Sequence, residues 1–131
     1  MIKKSLVLFC CLFSLSQVFN PVKAAEYVYF GFDPQIVTNY LTVKNKMGYV
    51  RLTVKLMIEG PENLEAVEHH SPLLRDAIIT IIGKQTEDQI KSIKGRAKIL
   101  KQCEDKVKSL LTKETGKPLI KKLLFTQWID E

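Results

Sequence analysis

Between Tyr49 and Glu59 the chain alternates without a break. Val50, Leu52, Val54, Leu56 and Ile58 are apolar, and Tyr49, Arg51, Thr53, Lys55, Met57 and Glu59 lie between them. A period of two over this length predicts a β-strand with one buried and one mostly wet face. Just upstream, Ile36–Val43 is rich in β-branched and aromatic residues and reads as another strand, joined to the first by the polar turn Lys44–Gly48. Together they predict an antiparallel hairpin. Glu26–Phe32, with Tyr27 and Tyr29 in alternation, reads as a short strand halted by Asp33-Pro34.

After Gly60-Pro61 the period changes. Leu64, Val67, Leu74, Ile78 and Ile81 keep helical spacing up to Gly83, which is placed to cap the C-terminus, and Ser71-Pro72 predicts a kink or restart with Ser71 as cap. Thr86-Glu87-Asp88-Gln89 has the form of a capping box and predicts a short helical turn. From Ile93 to Thr115 a long helix carries Leu100, Cys103, Val107, Leu110 and Leu111 on one face, and Gly116-Lys117-Pro118 ends it. Leu119–Ile129 returns to strand, with Leu123, Phe125 and Ile129 expected on one face and Trp128 on the other. Three strands, two main helices and a final strand make an α+β fold: a small, mainly antiparallel sheet with the helices packed on one face.

The N-terminus has a different pattern. Lys3-Lys4 precedes an uncharged apolar run, Ser5–Phe19, which ends at Asn20-Pro21, and Val22 and Ala24 are small residues spaced for a signal peptidase. That layout predicts a signal peptide over 1–24, cut between Ala24 and Ala25, and a single domain over 25–131. The alternative keeps residues 5–19 as an inner-membrane anchor with the domain facing the periplasm. The run is short and serine-containing for a span, which needs about 20 apolar residues. The chain has 20 Lys+Arg and 14 Asp+Glu; Lys3, Lys4 and Lys23 leave with the signal, so 17 basic residues face 14 acidic ones. A net charge of +3 gives no basic stripe of the kind that binds nucleic acid. Of the three cysteines, Cys10 and Cys11 also leave. Cys103 then has no intramolecular partner, and the core must hold without a disulfide.

Little in the mature chain resembles a reaction centre. His69-His70 project about 100° apart on a helix and lack a metalloprotease pattern, so they are read as surface residues, not metal ligands. Cys103 sits on an apolar stripe without a base and is read as a small buried hydrophobe. No nucleophile elbow, phosphate loop or dinucleotide fingerprint occurs. No catalytic, metal or cofactor residue is therefore assigned. Lys94, Lys98, Lys101, Lys108, Lys121 and Lys122 are interleaved with Glu104, Asp105 and Glu114. They read as a solvated face, with contact to anionic phospholipid or an acidic partner as the alternative. Tyr49, Thr53 and Met57 on the wet strand face, and Trp128, are candidate partner surfaces.

The order of landmarks resembles one family. Tyr49–Leu56 resembles its first strand. His70-Ser71-Pro72-Leu73-Leu74-Arg75-Asp76-Ala77-Ile78-Ile79 resembles an H-x-P-x-L-R-D-x-I-I helix, Lys94-Gly95-Arg96 follows, and Leu123–Ile129 is similar to the closing V-x-F-T-x-F-V-I-Q strand. These are features of the FliL family of flagellar basal body-associated proteins. The resemblance implies a periplasmic domain similar to the stomatin (SPFH) domain, without catalysis or cofactor. It also implies self-association, into a ring in the family's pattern, and contact with stator or basal-body components to support stator assembly or torque. A scaffold for a membrane protein unrelated to the flagellum is the other function considered. Pro72, Arg75, Asp76, Gly95 and Arg96 match the family pattern and are read as structural, with Arg75 and Asp76 each pairing to another element. The chain departs from the pattern at its end, where Asp130-Glu131 replaces the usual Gln, and at its start, where the apolar segment has the form of a cleavable signal.

N-terminal sequencing of protein recovered from the cell envelope is expected to begin at Ala25. A chain that still starts at Met1 and is extracted only by detergent would mean that the apolar run is an anchor.

Overall fold

The alternating segment forms the spine of the molecule. In a computed structural model, which describes residues 21, 24–44 and 46–131, it is strand β3 (Met47–Glu59). The expected signal segment lies outside the described residues except for Pro21 and Ala24; Ala24 and Ala25 are exposed and belong to no helix or strand. Strands β1 (Tyr27–Gly31) and β2 (Ile36–Leu41) lie end to end along one edge of β3, and β4 (Ile120–Asp130) runs along the other edge. All three pair antiparallel to β3, so this four-stranded sheet is only three strands wide.

Four helices follow β3: α1 (Leu64–His69), reached through a 3₁₀ turn at Pro61–Asn63, α2 (Ser71–Gly83), α3 (Glu87–Lys91) and α4 (Ile93–Thr115). The fold is thus α+β with an antiparallel sheet, as the periodicity predicts, and the two long helices α2 and α4 carry most of the helical layer. Val50, Leu52, Val54, Leu56 and Ile58 are buried with Leu74, Ile78 and Ile82 of α2 and Ile99, Cys103, Val107 and Leu111 of α4 in one continuous core.

Several local expectations are corrected. Ser71 does not cap α2: His70 takes that position and supplies no side-chain bond. Gly83 is the last helical residue rather than a left-handed cap, and Lys84 follows it in the right-handed region. The buried position of that turn is Ile82, with Ile81 half-buried. The capping box forms as expected. Thr86 accepts the Gln89 backbone N–H, and the Gln89 side chain accepts that of Thr86. At the end of α4, Gly116 takes φ 87°, a left-handed conformation that needs glycine.

The largest correction is in β4. Leu123 and Phe125 pair with core-facing Leu56 and Val54, but Trp128 pairs with core-facing Leu52 and Ile129 with outward Arg51. Trp128 therefore points to the helix side and Ile129 to the open side, the reverse of the simple alternation. The register shifts between Thr53 and Val54 because Thr126 is an extra residue, and one bulge inverts the phase of every later position. Leu119 just before the strand has φ 59°, and its flanks are closed by an Ile120 N–H to Pro118 carbonyl bond of 2.7 Å. The outer edge of β4 is shielded by Glu104 of α4, whose Oε2 accepts the Leu123 N–H at 3.1 Å while Oε1 holds Lys108 Nζ at 3.1 Å.

Leu56→Ala removes a fully buried side chain and is expected to lower the unfolding free energy by about 2–5 kcal/mol in urea titrations. Lys55→Ala, on the opposite face, should change it by less than about 0.5 kcal/mol. Equal losses would contradict the orientation of β3.

Candidate interaction surface

The sequence-derived positions divide into two clamps that do not meet. Arg75, on α2, donates from Nη2 to the Pro34 carbonyl at 2.7 Å, and its guanidinium lies 5.5 Å from the Phe32 ring centre. It thereby ties the helical layer to the β1–β2 connection. Asp76 is exposed, and its carboxylate has no partner among the described residues, so only one half of the expected pairing is made. Pro72 occupies the first turn of α2, where its missing N–H costs nothing.

The second clamp is more extensive. Arg96 donates from Nε to the Ile90 carbonyl and from Nη2 to Asp130 Oδ1, both at 2.9 Å, and its guanidinium lies 5.3 Å from the Trp128 ring centre. One side chain thus joins α3, α4 and the end of β4. The Trp128 indole N–H is buried without an acceptor among the described residues. Its ring is held by Arg96 and by Phe125, whose ring centre is 5.3 Å away. Gly95 makes room for the arrangement. A Cβ there would lie 2.7 Å from the Gln89 carbonyl carbon, so only glycine lets α3 and α4 approach this closely.

The reactive-looking groups fall outside both clamps. Burial pushes the Cys103 thiol up to about 12, which leaves it protonated and inert at neutral pH. The His69 and His70 rings contact each other edge to face at 4.9 Å, and no metal-ligand cluster occurs among the described residues. Two of the six sequence-marked lysines are held in pairs, Lys101 with Asp105 at 3.0 Å and Lys108 with Glu104. Burial raises the Glu104 carboxyl, but the Leu123 N–H and the Lys108 ammonium together outweigh it and hold the group below the usual carboxylate range.

What the sheet leaves uncovered is its second face. The helices take the side of Leu52 and Leu56, and the other side displays Tyr29 (54% exposed), Tyr49 (49%), Tyr27, Val37 and Met47. At its centre Gln35 donates from Nε2 to Thr53 Oγ1 at 2.7 Å and to Gln127 Oε1 at 2.9 Å, a polar bridge across the strands where β1 gives way to β2. Arg51 and Lys55 flank that bridge. Of the surface residues marked in the sequence, Tyr49, Thr53 and Met57 do lie here, whereas Trp128 belongs to the Arg96 clamp. Tyr27 and Tyr29, which the sequence marks only as an alternating strand, join this face through the register that sets them opposite Glu59 and Met57.

This is a small α+β domain, with one sheet face given to the core and the other left open. The family described as flagellar basal body-associated protein FliL matches residues 29–129, and the chain belongs to that family. The flagellar protein FliL of Aquifex aeolicus (strain VF5) is 26% identical over 102 residues, covering 78% of this chain and 60% of the relative. That of Bacillus subtilis (strain 168) is 29% identical over 86 residues, covering 66% and 59%. The chain thus spans roughly three-fifths of the length of these relatives. Among the described residues, no helix is long and apolar enough to cross a membrane.

Arg96→Ala is expected to lower the urea midpoint more than Asp130→Asn, because the latter keeps the Ile90 bond and the stacking on Trp128. Trp128 fluorescence should shift in the first variant and stay near the parent in the second. Equal effects would mean that the ion pair alone holds the corner.

Proposed function

We propose that this protein is a non-enzymatic accessory of the flagellar motor, acting in the periplasm after removal of residues 1–24 and supporting stator assembly or torque by contact. The observation that carries this reading is the open sheet face on a domain of the FliL family. Exposed tyrosines and a methionine beside Arg51 have the composition of protein interfaces, in which aromatic residues, Met and Arg are enriched. Its partners on this reading are stator or basal-body components and further copies of the chain. A head-to-tail arrangement uses two different patches on each copy and closes into a ring when the rotation per copy allows. Each contact is individually weak, and repetition makes it effective.

Deletion of the gene, complemented by parent or by Tyr29→Ser/Tyr49→Ser, tests the proposal. Both substitutions sit on the wet face, so the variant should fold as the parent does. The expected result is a normal number of flagella with slower swimming and fewer retained stators, in the deletion and in the variant alike. Full motility without the gene would overturn the motor role; a defect in another envelope process would then favour a scaffold unrelated to the flagellum.

A further inference from the structure

The end of the sheet where β2 turns into β3 carries two exposed aliphatic apices of the same design. In the first, Val43 is 88% exposed at the hairpin turn, flanked by Lys44 and Lys46. Thr42 braces that turn by donating its hydroxyl to the Lys46 carbonyl. In the second, Ile93 is also 88% exposed, at the corner between α3 and α4, flanked by Lys91 and Lys94. The two lie at the same end of the molecule. Leu41 bridges to Thr86 just ahead of α3, and Lys44, Lys46 and Met47 line one depression with Lys91. Leu41 and Met47 are exposed beside it.

We infer that this end docks on the surface of an anionic lipid bilayer, with Val43 and Ile93 entering the headgroup boundary and the flanking lysines meeting the lipid phosphates. Composition and exposure favour lipid over protein. Protein interfaces are depleted in lysine and built on aromatic or arginine anchors that fit pockets, whereas these apices are aliphatic, strongly exposed and lysine-flanked. A bilayer interface accepts an aliphatic apex, and each nearby Lys adds attraction to anionic heads. The carboxylates at this end are Glu87, held by Lys91 at 2.7 Å, and Asp130, held by Arg96 at 2.9 Å, together with Asp88 and Glu131. Against Lys44, Lys46, Lys91, Lys94 and Arg96 they leave a small positive balance, so the apolar apices must supply part of the affinity and salt should weaken binding without abolishing it.

The inference rests on the reading that residues 1–24 are removed. The chain enters the fold at the other end of β3, where Tyr27 pairs with Glu59, and a retained anchor would hold the lysine-flanked end away from its bilayer. The test therefore uses residues 25–131, which retain the whole core and everything packed against it, from Val28 to Trp128. Sedimentation with vesicles of phosphatidylcholine, alone or with about one-third phosphatidylglycerol, should show binding to the mixed vesicles and little to the neutral ones. Val43→Asp/Ile93→Asp should lower the bound fraction about tenfold or more, and Lys44→Glu/Lys46→Glu should do the same. All four positions are exposed, so circular dichroism should match the parent. No binding to the mixed vesicles, or binding that survives both double variants, would overturn the inference. Because residues 1–24 take no part, either result leaves the question of cleavage to N-terminal sequencing.

Discussion

The structure depends on burial of one face of a single long strand. Val50, Leu52, Val54, Leu56 and Ile58 of β3 are almost wholly inaccessible, and every other strand is placed by pairing with that strand. The core face draws α2 and α4 to one side, where their apolar stripes cover it together with Val67 of α1 and Ile90 of α3. The other side carries the exposed Tyr29 and Tyr49. The surface proposed for contact is thus what remains of the sheet once its core has formed.

The clamps by Arg75 and Arg96 belong to this logic. A helical layer laid over a sheet only three strands wide can slide, because aliphatic contacts are poorly directional. Arg75 fixes α2 to the Pro34 carbonyl, and Arg96 fixes the α3–α4 corner to Asp130, so each supplies a directed bond at a different point of the layer. Their chemistry is recognition chemistry, yet both are turned inward onto the protein's own backbone and side chains.

That distinction marks how far the sequence could be read. The alternation of β3, the Thr86 capping box and the Gly116 stop were legible because each is a local rule written in adjacent residues. The order of landmarks also led to the FliL family, which the match over residues 29–129 bears out. The orientation of Trp128 was not legible: an extra residue at Thr126 bears no glycine or proline to announce it, and the bulge shows only against the register of β3. Nor could the partner of Arg96 be read, since Asp130 lies 34 positions away. The open face was half legible. Tyr49 and Thr53 declared themselves by alternation, but Gln35 and Gln127 join Thr53 only through the fold.

The strand order also has a mechanical side. β1 starts opposite Glu59 and β4 ends opposite Val50, so the two terminal strands leave the sheet at opposite ends of β3. A pull on the two termini of the domain is therefore directed along the strands, while the hydrogen bonds between strands run across them. Such a load places the ladder in shear, and its bonds must fail together; they cannot open one at a time as in a peeled hairpin. β4, paired along nearly the whole of β3, would resist longest, and the five-residue β1 would slip first. A domain strung between two attachments would then yield by releasing its first strand while the core beneath β3 and β4 stayed closed.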